Sequence, residues 1–184
     1  MIPAVAGQAP AVAGQANRVF VIKLTMTYVF IDATNIIYGT SYYGWKMDFE
    51  KLFKYLTNRY EAKAVYYYAG VDSKNVKQLN FYKKLTDFGY KLRLVPVKIF
   101  SDGHKKADVD SRMTFEIIKL DKKFDKAIIM TGDGDYYWVL EYLIKTKKMV
   151  KLISHNRNTA RELKKLFGKD FVDMEDIRYQ IERK

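Results

Sequence analysis

An α/β fold, with a mostly parallel sheet and helices on both of its faces, is predicted by three observations. Short β-branched and aromatic runs alternate along the chain with stretches of helical period. Glycine, proline or a capping residue marks most changes of period. The chain has 184 residues, 48% of them apolar, which suits one domain with a real core.

The elements follow in order. "TYVFID" (27–32) is a buried strand that ends in a carboxylate. "DFEKLFKYLTNRY" (48–60) carries apolar residues at 49, 52, 53 and 56, a helical spacing, with Asp48 as its N-cap. "KAVYYYAG" (63–70) is a second strand. "NVKQLNFYKKLTDFG" (75–89) is a helix stopped by Gly89. "YKLRLVPVKIF" (90–100) is a third strand, with Pro96 at its end or on an edge. A polar loop (101–108) precedes a helix over 109–121. Then come a fourth strand (126–133), a helix (135–146), a fifth strand (149–154) and a helix (158–168) capped by Asn158 or Thr159 and closed by Gly168. The end of the chain holds a short strand-like run and a terminal helix.

The first 25 residues are of another kind. "PAVAGQA" at 3–9 recurs unchanged at 10–16. Two copies of a small-residue repeat build no core, so residues 1–25 are expected to be a flexible tail or an added segment, with the folded domain over 26–184 and Met26 a candidate natural start.

Composition excludes several chemistries. There is no cysteine, so neither disulfides nor thiolate metal sites exist. Two histidines, His104 and His155, are too few for a histidine-rich metal centre. No apolar run is long enough to span a membrane, and a cytoplasmic location is the expectation. The net charge is +12, a field that attracts polyanions.

Acidic residues gather where such a sheet puts its ligand site, beyond the carboxyl ends of the strands. Asp32 ends the first strand and Asp133 the fourth, with Asp135 two residues on. Asp108 and Asp110 open the helix after the polar loop, and Glu116 follows six residues after Asp110. Taken singly, Asp110 and Asp135 read as helix caps and Asp133-Gly134 as a turn. Taken together on one rim, the carboxylates repel unless a cation joins them. Oxygen donors without Cys or His favour Mg²⁺ or Mn²⁺. The Asn35 amide is a candidate to contact a phosphate or hold an aspartate. Thr34 and Thr131 read as loop caps.

"YVFIDATNIIYG", "KADVDSRMTFEII" and "AIIMTGDGDYYWVL" together resemble the NYN domain, the LabA-like branch of the PIN-like nucleases. "NTARELKKLFGKDFVDMEDI" is similar to that family's closing segment. The resemblance covers roughly residues 27–178. It implies a PIN-like Rossmannoid three-layer fold with strand order 3-2-1-4-5, and a metal-dependent endoribonuclease. It matches Asp32 to the first acid, Asn35 to the Asn of D-x-x-N, Asp110 to the next acid, Glu116 to the one after it, and Asp133 and Asp135 to the last pair. Two departures stand out: Glu116 has a longer reach than the usual Asp, and Tyr136 replaces the usual Phe.

The substrate surface is expected from the charges and rings near that rim. Lys105, Lys106, Arg112, Arg157 and Arg161 are candidates for phosphate, and His104 for a further substrate contact. Among the aromatics, the stretch 38–45 is preferred for base stacking, because no helical period explains it, with Tyr42 and Trp45 as its chief members. Tyr137 and Trp138 read equally well as helix core. The function expected is hydrolysis of single-stranded or structured RNA through an acidic Mg²⁺ or Mn²⁺ site. Its ligands are Asp32, Asp110 and Asp133, supported by Asp135 and Glu116. The alternative is an RNA-binding or protein-scaffolding module on the same fold. The oligomeric state is left open, a dimer included.

Overall fold

The computed structural model describes residues 25–99, 101, 103 and 105–184. The tail expected over 1–25 falls almost wholly outside them, as does His104. Among the described residues the strands are β1 (Thr27–Asp32), β2 (Ala62–Val71), β3 (Lys91–Pro96), β4 (Lys98–Ile99), β5 (Lys105–Lys106), β6 (Lys126–Met130), β7 (Met149–Ser154) and β8 (Phe171–Asp173). The helices are α1 (Ala33–Tyr42), α2 (Phe49–Tyr60), α3 (Val76–Phe88), α4 (Val109–Leu120), α5 (Tyr137–Lys145), α6 (Arg161–Phe167) and α7 (Met174–Ile181).

Six strands form one parallel sheet in the order β3-β2-β1-β6-β7-β8. Counted along that sheet, this is the expected 3-2-1-4-5 with a sixth strand added outside the fifth. The strands bury both faces, and successive side chains alternate between two cores. Val29 and Ile31 of β1 and Ile128 and Met130 of β6 face one side, where α1, α2, α3 and α7 pack. Phe30, Ala127 and Ile129 face the other, where α4, α5 and α6 pack. Burying Leu52 and Leu56 of α2 contributes about 1.5–3 kcal/mol each.

The caps are as their residue types require. Asp48 accepts the backbone N–H groups of Glu50 and Lys51, and Asn75 that of Gln78. Gly89 ends α3 with φ 105°, a left-handed conformation that suits glycine.

Four expectations are corrected. The stretch 33–42 is helix α1: Ala33, Ile36, Gly39 and Thr40 are its buried residues, a helical period that the aromatic run disguised. The third strand breaks at Pro96, and its continuation pairs with Lys105–Lys106 in a separate antiparallel hairpin. Residues 134–136 form a 3-10 turn ahead of α5. The cap position of α6 is Ala160, with no side-chain bond, instead of Asn158 or Thr159.

Candidate active site

The site sits where β1 and β6 end side by side. Their last paired residues are Ile31 and Met130, so Asp32 and Thr131 follow as neighbours on the rim. The Thr131 hydroxyl donates to Asp32 Oδ2 at 3.3 Å and accepts the Asp133 N–H at 3.2 Å. Thr131 therefore ties the two aspartates together. Asp32 also caps α1, its Oδ1 accepting the Asn35 N–H at 3.2 Å. Asn35 Oδ1 in turn accepts the Gly132 N–H at 2.7 Å, pinning the loop after β6.

Asp110 arrives from α4 on the opposite face to α1. Asp110 lies in the first turn of α4, where an acid suits the helix dipole, and the cap position belongs to Asp108. Its Oδ1 accepts the hydroxyl of Tyr136 at 3.1 Å, and Tyr136 is fully buried. The hydroxyl thus aims a carboxylate, a role a Phe at this position would lack. Asp133 Oδ1 accepts the Asp135 N–H at 2.9 Å, so the Asp-Gly-Asp turn is capped by Asp133.

These groups feel one another. Burial, then the charges of Asp110 and Asp133, push the Asp32 carboxyl up to about 6, against the hydrogen bonds from Asn35 and Thr131. Asp110 is likewise raised, by burial first and by Asp133, Asp135 and Asp108, while Tyr136 opposes the rise. Among the described residues no Lys or Arg nitrogen pairs with Asp32, Asp110, Asp133 or Asp135; the ion pairs fall elsewhere. As the side chains stand, no three acidic or histidine groups among the described residues are placed to hold a metal ion. Three carboxylates with no counter-cation among the described residues are nonetheless the kind of oxygen donors that suit a hard divalent ion.

The acids open into a cleft of about 890 Å³. Asp32, Asp110 and Asp133 line it, with Asn35, Lys106 and Asn158. Asp135 is exposed and does not line it, though its charge reaches Asp110. Arg157 and Arg161 are exposed, Arg157 beside Asn158. Lys105 contributes backbone to β5, and its side chain lies outside the described residues.

Three expected site residues are engaged in other work. Glu116 is buried under β2 and β3, where Arg93 and Arg112 both bond it at 2.7 Å and Tyr68 at 3.1 Å. Burial raises its carboxyl, the two guanidinium groups outweigh that, and the net is lowered. A carboxylate so paired has no oxygen to spare for a rim cation. Arg112 is spent on the same pair. Trp45 is 3% exposed, and its Nε1–H donates to Glu175 at 2.7 Å, so it offers no face to a base. The exposed rings include Tyr38 (72%) and Tyr42 on α1 and Trp138 (75%) on α5. Of these, Tyr38 lines the cleft.

The chain matches the NYN domain over residues 26–176. It is 28% identical over 163 residues to the Low amplitude and bright protein LabA of Synechococcus elongatus, an alignment covering 84% of this chain and 87% of that one. The crystal structure of a protein of unknown function from Vibrio parahaemolyticus superposes with a TM-score of 0.71 at 23% identity, over 86% of this chain and 96% of the other. At that identity the likeness speaks for the fold. No helix among the described residues is long and apolar enough to cross a membrane.

Proposed function

The chain belongs to the NYN domain family, and on that premise we propose that it is a metal-dependent endoribonuclease centred on Asp32, Asp110 and Asp133. The observation that carries the reading is the set of three carboxylates on one rim, pinned by neutral donors and paired with no Lys or Arg among the described residues. Their donor chemistry fits Mg²⁺ or Mn²⁺, which would supply a Lewis acid and a water acidic enough to attack phosphorus near neutral pH. Asn35 and Thr131 hold the two oxygens of Asp32, and Tyr136 holds one oxygen of Asp110, so the ligands are oriented before anything binds. Asn35 keeps its amide N–H₂ for a phosphate oxygen, since only its carbonyl is spent on Gly132. Lys106 and Arg157 draw the polyanion to the cleft, in a cytoplasmic setting.

Hydrolysis by water in line with the leaving oxygen needs no 2′-hydroxyl. With the P–O3′ bond broken and O3′ leaving, it gives a 5′-phosphate and a 3′-hydroxyl. End-group analysis of a labelled RNA, with and without Mn²⁺, for wild type and Asp32→Asn, is the test. Cleavage that requires the metal and Asp32 and gives those ends supports the reading. Its absence from a highly purified chain over a broad RNA panel transfers the chain to the RNA-binding or scaffolding class.

A further inference from the structure

The cleft is far larger than a cation and one phosphate require; its volume is that of sites which take whole small molecules, roughly 300–1,000 Å³. Beyond the acids it runs between α1 and the start of α3 and changes character. Its walls there are Ile37, Tyr38, Phe81, Tyr82 and Val97, with Asp72, Asn75 and Gln78 as the polar groups beside them.

This far end is built rigidly. The Tyr82 hydroxyl and the Gln78 amide both donate to the Gly70 carbonyl, at 2.6 and 3.2 Å, and Gln78 Oε1 accepts the Asp72 N–H at 2.8 Å. The segment after Pro96 is tied down by the Val97 N–H, which donates to the Val71 carbonyl at 3.0 Å. Close approach is possible because position 70 has no side chain: a Cβ there would come within 2.9 Å of Ala107 and 3.2 Å of Val97. Within this frame Asn75 spends its Oδ1 on capping α3, while its Nδ2 has no protein partner among the described residues. Tyr38 presents an exposed ring over the same space.

We propose that this end of the cleft is a nucleobase pocket: one unpaired nucleotide of the substrate turns its base in between Tyr38 and the α3 wall, with Asn75 Nδ2 donating to an acceptor on the base edge. The proposal rests on the nuclease reading only in placing that nucleotide's phosphate at the acids. A base inside a duplex cannot enter, so the substrate is single-stranded at the cut site. An exposed tyrosine stacks any base, whereas a lone amide donor prefers bases that offer a carbonyl or ring nitrogen there.

The test is binding of the four ribonucleoside 5′-monophosphates in Mg²⁺, so that no phosphate faces bare carboxylates, followed by titration calorimetry or NMR shifts, with inorganic phosphate under the same conditions as the comparison ligand. Binding is expected at millimolar concentration or below, tighter than phosphate alone. Tyr38→Ala should weaken it about tenfold, the size of a lost stacking contact, and Tyr38→Phe should restore most of it. Asn75→Asp keeps the helix cap and replaces the amide donor, so it should reorder the four bases without lowering the melting temperature. Tyr179→Ala, an exposed ring on α7 outside the cleft, is the neutral control. No saturable binding, binding no better than phosphate, or equal effects from Tyr38→Ala and Tyr179→Ala would overturn the pocket. The two readings fail separately: nucleotide binding without RNA cleavage leaves the pocket standing, and cleavage without nucleotide binding leaves the nuclease standing.

Discussion

Replacing Asp32 with asparagine removes one charge from the rim and little else. The asparagine carbonyl can still cap α1 through the Asn35 N–H, and its amide can donate to Thr131, whose hydroxyl turns to suit. Because the folded chain lifts this carboxyl from 3.8 to about 6, keeping Asp32 ionised costs about 3 kcal/mol near neutral pH. The folded state holds that proton longer than the unfolded state does. Stability from this group is therefore full below about pH 4, falls as pH rises through about 6, and is level above. In EDTA at pH 7–8, Asp32→Asn should be more stable than wild type by up to about 3 kcal/mol, or about 6–12 °C in melting temperature for a chain of this size. The two proteins should converge near pH 4. Denaturant and thermal melts across pH 4–8 check this. A variant less stable than wild type by 1 kcal/mol or more at pH 7 would mean that Asp32 is a well-compensated structural charge, and the repulsion argument would fall.

Other outcomes follow from the same contacts. Mn²⁺ should raise the melting temperature of wild type by mass action on the folded state, and Asp32→Asn with Asp133→Asn should abolish that rise. Glu116→Gln should cost about 2–3 kcal/mol, because two charged hydrogen bonds weaken, while leaving the Mn²⁺ response intact. The lowered Glu116 carboxyl adds stability above its unfolded value near 4.5 that is lost as pH falls further, and acid melts of the Gln variant should lack that loss. Trp45→Ala should behave as a core deletion of about 3–5 kcal/mol, visible in melts without any RNA. Tyr136→Phe should cost about 1 kcal/mol and weaken Mn²⁺ binding through the unpinned Asp110, measured by the metal-induced melting shift.

Much of the fold was legible because parallel strands buried on both faces leave long apolar runs, and Asp48, Asn75 and Gly89 carry their cap chemistry in the residue type. The placement of Asp32 and Asp133 on one rim was legible because one ends a buried strand and the other follows three residues after the end of the neighbouring one; that both also cap the turns that follow is a use the residue type allows equally. Helix α1 was hidden because its buried positions include a glycine and a threonine, while its exposed side carries Ile37, Tyr38 and Tyr42. Gly39 is there because α1 crosses against His155, whose ring leaves no room for a side chain. That same crossing buries Trp45, which period alone could not assign. Glu116 stood at the right spacing from Asp110, but spacing along a helix does not reveal that Arg93, on a strand, reaches the same carboxylate. The Tyr136 hydroxyl escaped notice because its partner comes from a different helix.

The claim that Asp32, Asp110 and Asp133 together hold a divalent cation is tested most directly by diffraction from crystals of the chain soaked in Mn²⁺, recorded where manganese scatters anomalously. The account predicts a peak at the cleft end of β1 and β6, touched by oxygens of those three aspartates and by no atom of Glu116. A clean anomalous map with no peak at that rim, or a peak elsewhere on the chain, would contradict it.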